Sequence, residues 1–270
     1  MVSRRHDVRV DRVSGAAPAA LSDAELTRYA RHIVLREFGG AGQMRLKAAS
    51  VAVIGAGGIG SPAIQYLAAA GVGHLVLIDD DRVDMSNLQR QTIFATDDVG
   101  QDKVAAAAAA VRRINPFVTV MTHATRIDAG NAAGLIDGAD VILDGCDNFA
   151  TRLAVADAAL AAGIPLVSAA VGPFEGQLAT YRGWEAGSPC YRCFVGNASD
   201  QAGATCADDG VLGPVTGILG SLAALEVLRA IAPFGEDSAG KLLLLDLLAL
   251  RFRTIRLPKD PGCPACGSRS

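Results

Sequence analysis

The chain has 270 residues, half of them apolar and a fifth charged, which is the composition of a folded globular protein rather than a disordered one. Its formal net charge of -3 gives no whole-chain electrostatic reason to expect a nucleic-acid or membrane partner. The sequence has no uninterrupted apolar run of about 18 residues and no signal-peptide core after its first arginines. We therefore predict a cytoplasmic protein, with a flexible tail at 1–20 and a single domain at 21–270.

Secondary-structure signals begin at Ser22, which fits a capping box with Glu25 before a short amphipathic helix. An apolar run at 50–54, a glycine-rich turn, a helical stretch and a second apolar run at 75–78 then predict a βαβ unit. The polar stretch at 84–100 has no helical period, and long connections without secondary structure are usually functional. We interpret it as a loop of the functional site.

The rest of the chain predicts a fold of α/β class. Helix signals alternate with apolar runs, and this alternation is typical of a Rossmann-like, doubly wound, mainly parallel sheet. The predicted helices lie at 61–70, 103–114 and 152–162, and the further predicted strands at 118–121, 140–143 and 165–169. Later strand patterns without crossover helices predict antiparallel additions at 177–181, 242–245 and 252–257, with one long helix at 214–231.

The glycine-rich turn predicts a nucleotide site, because it follows a strand and opens a helix. Its glycines are Gly55, Gly57, Gly58 and Gly60. Backbone N–H groups at such a turn can bind phosphate, and Asp79, at the end of the second strand, can bind a ribose hydroxyl. The pattern alone leaves both a dinucleotide and ATP possible.

Polar residues expected at the same sheet edge favour ATP with Mg²⁺. They are Asn87, Arg90, Gln91, Lys103, Asp144, Asp147 and Asn148. Cations, an amide and carboxylates suit a triphosphate, because charge on the reacting phosphorus and on departing pyrophosphate must be neutralised. Hydride transfer has no such requirement. Taken singly, Arg90 or Lys103 could be a solvated surface charge, and Asp144 could cap a helix.

Two C-x-x-C pairs offer four thiolates for a tetrahedral zinc ion. The cysteines are Cys190, Cys193, Cys263 and Cys266. Four protein ligands leave no open position, so the zinc would be structural and would clip the C-terminal segment to the fold. Four unrelated reduced cysteines are the alternative. A redox pair is less favoured, since neither pair is predicted to open a helix directly after a strand.

The two remaining cysteines differ in their surroundings. Cys146 is predicted to be a small apolar residue near the sheet edge. Cys206 lies in a polar stretch at 196–213 without secondary-structure signals, and an exposed thiol on a long loop is a candidate nucleophile.

Together these motifs resemble the MoeB/ThiF/HesA family, relatives of the ubiquitin-activating enzymes, from about Leu21 to Gly267. The matching segments are the glycine turn, both C-x-x-C pairs, and residues 28–32, 86–91, 100–103, 144–148 and 205–206. The resemblance implies ATP-dependent adenylation of the C-terminal Gly-Gly carboxylate of a small ubiquitin-like sulfur carrier, MoaD-like or ThiS-like. The acyl adenylate would later accept sulfur and become a thiocarboxylate.

The resemblance also implies roles for individual residues. Asp147 would hold magnesium, Asp79 would bind the ribose, and Gln91, Asn148 and the glycine turn would complete the nucleotide site. Asn87, Arg90 and Lys103 would position and neutralise the phosphates. Arg31 matches an arginine that reaches the nucleotide from the other subunit, which implies a homodimer. Cys206 matches a cysteine of sulfur transfer in ThiF-like members that looks dispensable in MoeB-like ones.

Within the family, residues 174–177 and 90–92 are closer to the MoeB-like branch, so we predict a role in molybdenum cofactor biosynthesis. A ThiF-like role in thiamine biosynthesis is the first alternative. The sequence continues only briefly after Cys266, so we expect no rhodanese domain and a separate sulfur donor.

An NAD-dependent oxidoreductase would use only the glycine turn and Asp79. A non-catalytic scaffold would not need to keep magnesium and phosphate ligands together.

Overall fold

A single mixed sheet runs through the computed structural model, which describes residues 20–196 and 210–267. Its strands are β1 (Ser50–Ile54), β2 (His74–Ile78), β3 (Thr119–His123), β4 (Val141–Asp144), β5 (Leu166–Val171), β6 (Glu175–Tyr181), β7 (Lys241–Asp246) and β8 (Arg251–Arg256). They lie in the order β3-β2-β1-β4-β5-β6-β7-β8. The predicted tail at 1–20 lies outside the described residues except for its last position, and it stays a prediction.

The first five strands are parallel and set the position of the site. β1 lies between β2 and β4, and its last residue, Ile54, pairs with Ile78 on one side and with Asp144 on the other. The three strands therefore end at the same level. In such sheets ligands bind outside the carboxyl ends, where the strand order reverses. This point lies between β1 and β4.

The remaining strands are antiparallel, as the missing crossover helices predict. β6 pairs with β5, β7 with β6, and β8 with β7. β8 is an edge strand and most of its side chains are exposed. The predicted α/β class with antiparallel C-terminal strands is confirmed.

Helices cover both faces of this sheet. They are α1 (Asp23–Arg28), α2 (Ala30–Ile33), α3 (Gly39–Ala48), α4 (Gly60–Ala70), α5 (Lys103–Ile114), α6 (Ala132–Leu135), α7 (Phe149–Ala162), α8 (Tyr191–Val195) and α9 (Gly213–Ile231). Alternation along β1 divides the core between the faces. Val51 and Val53 belong to one apolar cluster, and Ala52 and Ile54 belong to the other. The predicted doubly wound arrangement follows from this division.

The N-terminal helix is shorter than its apolar pattern predicts. The capping box is present, since the Ser22 hydroxyl accepts from the Glu25 N–H and the Glu25 carboxylate accepts from the Ser22 N–H. Tyr29 is buried and separates α1 from α2, whereas Leu26 and Val34 are exposed. The single short amphipathic helix that the sequence predicts is therefore divided into α1 and α2.

One helix of the described residues, α9, is long and apolar enough to cross a membrane by length and composition, with a mean hydropathy of 1.5. In this fold it packs on α4 and on the sheet. A Cβ added at Gly220 would lie 2.4 Å from the Ile59 carbonyl oxygen, so the two helices approach closely. Near its C-terminus Glu226 and Arg229 form an ion pair of 3.1 Å.

Candidate functional site

The glycine turn joins β1 to α4 at the level where β1, β2 and β4 end. Gly55 has a φ of +86°, a backbone conformation that other residues rarely adopt. A Cβ at Gly60 would lie 1.9 Å from the Gly55 carbonyl oxygen, so the turn can close only around glycine. Gly58 lies against Thr216 of α9. The turn has the shape expected of a phosphate-binding loop before a helix N-terminus.

Asp79, directly after β2, holds this turn from the neighbouring strand. One carboxylate oxygen accepts a hydrogen bond of 2.7 Å from the Ala56 N–H, and the other accepts one of 2.9 Å from the Asp81 N–H. Burial raises the pKa of Asp79, while the nearby Lys103 charge and these hydrogen bonds oppose the increase. Asp79 therefore has a structural role in the turn besides any contact with a ribose.

Lys103 begins α5 beside the same strand end, and its side chain is almost fully buried. Its ammonium lies 2.7 Å from a carboxylate oxygen of Asp81, which is exposed. A solvated surface charge is therefore the wrong description of Lys103. The ion pair holds the ammonium at the edge of the glycine turn, where a phosphate chain would compete with Asp81 for it.

The site loop at 84–100 is more ordered than its polar composition predicts. It contains two short 3₁₀ helices, Met85–Asn87 and Thr96–Asp98. Ile93 and Phe94 are buried and join the main apolar cluster. These two side chains anchor a connection that was expected to lack secondary structure.

Two predicted phosphate ligands lie in the first half of this loop. The side-chain oxygen of Asn87 accepts from the Asp84 N–H at 3.2 Å, which closes the 3₁₀ turn. The Arg90 guanidinium donates to the Ser86 carbonyl oxygen at 3.0 Å and has no carboxylate partner among the described residues. Its positive charge is therefore not neutralised by an acidic side chain in the part of the chain that the structure describes.

Gln91 provides an observation that fits a bound ligand. The residue is 3% exposed, and its amide oxygen has no hydrogen-bond partner within the described ranges. Its amide nitrogen is the nearest atom, at 3.9 Å, to the place where a Cβ of Gly57 would lie. A buried polar atom without a partner is costly. Its position beside an open glycine turn is consistent with a ligand that donates a hydrogen bond there.

The segment after β4 carries the predicted magnesium ligand. Asp144 is buried and forms an ion pair of 3.3 Å with Arg152, so the possibility that it caps a helix is wrong. The cap of α7 is Asn148, whose side-chain oxygen accepts from the Thr151 N–H at 2.8 Å. Asp147, between them, is exposed and has no hydrogen bond or ion pair among the described residues. A free carboxylate oxygen at a sheet edge suits Mg²⁺.

The structure does not bring Arg31 to this edge. Arg31 is exposed on α2. The neighbouring His32 contacts Gln43, which donates to the Ala70 carbonyl oxygen at the far end of α4. Arg31 therefore lies near the amino ends of the strands.

Cys206 lies outside the described residues. Cys146 is half-buried, and burial raises the pKa of its thiol, which agrees with a mainly structural residue.

The four predicted metal ligands come together at a second place, beside the C-terminal end of α7. The Sγ–Sγ distances are 3.8 Å for Cys190 and Cys193, 3.6 Å for Cys190 and Cys263, and 3.4 Å for Cys193 and Cys266. A regular tetrahedron with Zn–S bonds of about 2.3 Å has edges of about 3.8 Å, so the cluster has the donor set and the size for zinc.

Backbone geometry supports a metal-binding role for these cysteines over a redox role. Cys190 caps α8, but residues 182–189 separate that helix from β6. The Asp260 N–H donates to Cys193 Sγ at 3.5 Å, a contact typical of a thiolate ligand. A Cβ at Gly267 would lie 2.5 Å from the Pro261 carbonyl oxygen, so the second loop also closes around a glycine.

Two supporting residues, Arg152 and Ser168, were not predicted from the sequence. Both contact Asp144 from other elements, α7 and β5. The only local signal is an arginine that follows Asn148 by one helical turn in a mainly apolar helix. Its burial depends on the sheet and could not be inferred from that spacing.

This fold and this set of residues are those of a Rossmann-like nucleotide-binding protein with a four-cysteine cluster. Residues 29–265 match the model of the ThiF family. The chain therefore belongs to the ThiF family, which the sequence motifs also indicate.

Relatives within this family are adenylyltransferases by name. The chain is 50% identical over 253 residues to adenylyltransferase and sulfurtransferase MOCS3 of Bos taurus, a match that covers 93% of this chain and 55% of that protein. It is 42% identical over 249 residues to molybdopterin-synthase adenylyltransferase of Escherichia coli, with 92% and 99% covered. It is 43% identical over 248 residues to sulfur carrier protein adenylyltransferase of Thermus thermophilus, with 90% and 91% covered. The chain thus spans about half the length of the first of these relatives and nearly all of the other two.

A solved structure shares the fold. The crystal structure of PaaA aligns with a TM-score of 0.77 at 26% identity, covering 92% of this chain and 78% of that one.

Proposed function

We propose that this protein catalyses ATP-dependent adenylation of the C-terminal Gly-Gly carboxylate of a small ubiquitin-like sulfur carrier, for molybdenum cofactor biosynthesis. The observation that carries the proposal is the meeting of the glycine turn, Asp79, Lys103 and the Asp147 segment where three adjacent strands end. The names of relatives that cover nearly the whole chain support the same reaction.

In the proposed reaction a carboxylate oxygen of the carrier attacks the α-phosphorus of ATP. The bond from that phosphorus to the bridging oxygen breaks, pyrophosphate leaves, and a carrier–AMP mixed anhydride forms. Lys103, Arg90 and Asn87 would contact the phosphates, and the two cations would stabilise the charge on pyrophosphate. Magnesium, when bound by Asp147, would neutralise phosphate oxygens.

The glycine turn would bind the triphosphate through its backbone N–H groups, with Gly55, Gly57, Gly58 and Gly60 leaving room for close approach. Asp79 would bind the ribose while it holds the turn. Gln91 would accept a hydrogen bond from the nucleotide through its buried oxygen, and Asn148 would remain the cap of α7. The assignment to Gln91 would give a partner to its buried amide oxygen, which has none among the described residues.

Arg31 would serve the site of a second copy in a homodimer, since within one chain it lies at the opposite edge of the sheet from the glycine turn. This arrangement requires the partner copy for full activity. Cys206 as a sulfur-transfer nucleophile and a separate sulfur donor stay predictions.

Zinc would occupy the four-cysteine cluster as a structural ion held by Cys190, Cys193, Cys263 and Cys266. The ion would tie the segment after β8 to α8 and to the end of α7. Thiolate ligands require reduced cysteines, which supports a cytoplasmic location.

Three other functions are the alternatives to this proposal. A ThiF-like enzyme for thiamine biosynthesis would use the same chemistry with another carrier. An NAD-dependent oxidoreductase would not require Lys103, Arg90 and Asp147, and a non-catalytic scaffold would bind nucleotide without turnover. The Asp147 carboxylate is exposed at the sheet edge and has no partner among the described residues, which favours an adenylyltransferase over the oxidoreductase and the scaffold.

Exchange between ATP and labelled pyrophosphate tests the proposal. Purified protein would be assayed with each candidate carrier from the same genome, whole and lacking the terminal Gly-Gly. Exchange with one intact carrier only supports adenylation and identifies the pathway. Bound ATP without exchange for any carrier contradicts it, and reduction of NAD by a substrate would favour the oxidoreductase.

A further inference from the structure

A buried cluster centred on Arg152 lies behind the segment that carries Asp147. The Arg152 guanidinium donates to the carboxylate of Asp144 and to the Ser168 hydroxyl oxygen, each at 3.3 Å. It also donates to the carbonyl oxygen of Ala169 at 2.9 Å and to that of Cys146. The Ser168 hydroxyl in turn donates to Asp144 at 3.0 Å. One side chain thus joins α7 to the ends of β4 and β5.

The cluster fixes the backbone on both sides of Asp147. The Cys146 N–H donates to the Asp144 carboxylate at 3.1 Å, and its carbonyl oxygen accepts from Arg152. On the other side Asn148 is fixed as the cap of α7. Asp147 is therefore a single exposed residue between two anchored neighbours, and its carboxylate has a restricted range of positions.

Stability alone gives a poor explanation for this arrangement. A buried ion pair usually contributes no more net stability than apolar side chains of the same volume, because both charges must be removed from water. The cluster does, however, fix the residues on both sides of Asp147, and a carboxylate that binds a metal must be held within a narrow tolerance. A planar guanidinium suits this place, because its N–H donors in a fixed fork reach Asp144, Ser168 and the Cys146 carbonyl at once.

We propose that Arg152 is a positioning residue, which acts through Asp144 and Cys146 to fix the Asp147 carboxylate for a magnesium-bound nucleotide. The inference rests on the magnesium role given to Asp147 in the proposed function. It concerns nucleotide binding, so its test needs neither a carrier nor turnover.

Calorimetric titration with a non-hydrolysable ATP analogue, with and without Mg²⁺, provides the test. The measured quantity is the dissociation constant without Mg²⁺ divided by the dissociation constant with Mg²⁺. We call this ratio the magnesium gain. We expect Arg152→Lys to reduce this gain about tenfold or more, as the loss of an outer contact that supports a metal site usually does, with little change in magnesium-free binding. Arg229→Lys is the matched control. Arg229 forms an ion pair with Glu226 near the C-terminus of α9, whereas the glycine turn contacts the N-terminal part of that helix, so this variant should keep the wild-type gain.

A double variant separates positioning from general destabilisation. If Arg152 acts through Asp147, then Arg152→Lys should change nothing further once Asp147→Asn has removed the gain. Additive losses, or a wild-type gain in Arg152→Lys, would overturn the proposal. If Arg152→Lys does not fold, Ser168→Ala provides the same test. It removes one hydroxyl from the cluster, and we expect a gain reduced about tenfold, the lower end for such contacts; an unchanged gain would overturn the inference.

The result is independent of the adenylation proposal. A wild-type protein that shows the magnesium gain but no pyrophosphate exchange would contradict the proposed function and leave the role of Arg152 standing. A wild-type protein without a gain would contradict the role of Asp147 and therefore that of Arg152.

Discussion

The backbone N–H of Ala56 donates a hydrogen bond of 2.7 Å to the carboxylate of Asp79, so the end of β2 fixes the glycine turn that follows β1. The two residues are neighbours only because β1 and β2 are paired in register up to Ile54 and Ile78. The nucleotide site is thus held by the sheet as well as by the local turn.

Asp79→Asn should weaken ATP binding about tenfold. The amide keeps one acceptor oxygen for two backbone N–H donors, those of Ala56 and Asp81, and a hydrogen bond to a charged group contributes about 1.5 to 3 kcal/mol. Calorimetric titration with ATP measures the change. Asp80→Asn is the control, since Asp80 is exposed and adjacent, and its affinity should stay near the wild-type value. Equal effects of both substitutions would contradict the role of Asp79.

Lys103→Met should lower the rate of carrier-dependent pyrophosphate exchange about 100-fold. The substitution removes the positive charge that would stabilise the negative charge developing on pyrophosphate. Lys47→Met is a matched control. Lys47 and Lys103 each lie 2.7 Å from a carboxylate oxygen, but the partner of Lys47 is Glu25 of α1. The control should lose thermal stability and keep its exchange rate. Wild-type exchange in Lys103→Met would show that this charge takes no part in the reaction.

Cys263→Ser should remove bound zinc and lower the melting temperature by about 5 °C or more, because three thiolates hold the ion less tightly and the C-terminal segment is released. Metal analysis and thermal unfolding measure the two effects. Cys146→Ser leaves the four-cysteine cluster intact and should retain about one zinc ion per chain. Wild-type zinc content in Cys263→Ser would contradict the four-ligand assignment.

Glu25 should contribute stability that is lost in acid. Burial favours its protonated form, but hydrogen bonds from Lys47 and Ser22 outweigh burial and hold the pKa below its ordinary value of 4.5. A lowered pKa in the folded state means that this stability is present above the pKa of the unfolded chain and disappears as pH falls through the folded value. Glu25→Gln should therefore flatten the dependence of melting temperature on pH below about 4.5, whereas Glu37→Gln, at an exposed position, should leave the curve unchanged.

Elements with a strong local pattern were predicted well. The apolar run at 50–54 is β1, and the alanine-rich stretch at 103–114 is α5 with the same bounds. Buried parallel strands have such runs because both of their faces are covered. Because Asp79 and Asp147 follow the ends of such strands, the sequence predicts both at one edge of the sheet.

Elements whose stability comes from tertiary contacts were missed. α3 contains Gly39, Gly40 and Gly42, which lower intrinsic helix propensity, and it forms because Gln43 and Leu46 are buried against the fold. α6 is a single turn with one buried residue, Ala132. Neither segment has a hydrophobic period long enough to be recognised.

The sequence by itself determined the eight strands, the main helices, the glycine turn, the two cysteine pairs and the polar residues at strand ends, since all of these depend on residue types at short spacing. Only the tertiary structure decided that Asp144 is an ion-pair partner of Arg152, that Lys103 is buried beside Asp81, and that Arg31 lies at the opposite edge. Such contacts depend on strand register and on helix packing between distant segments, and no local spacing specifies which buried charges will meet.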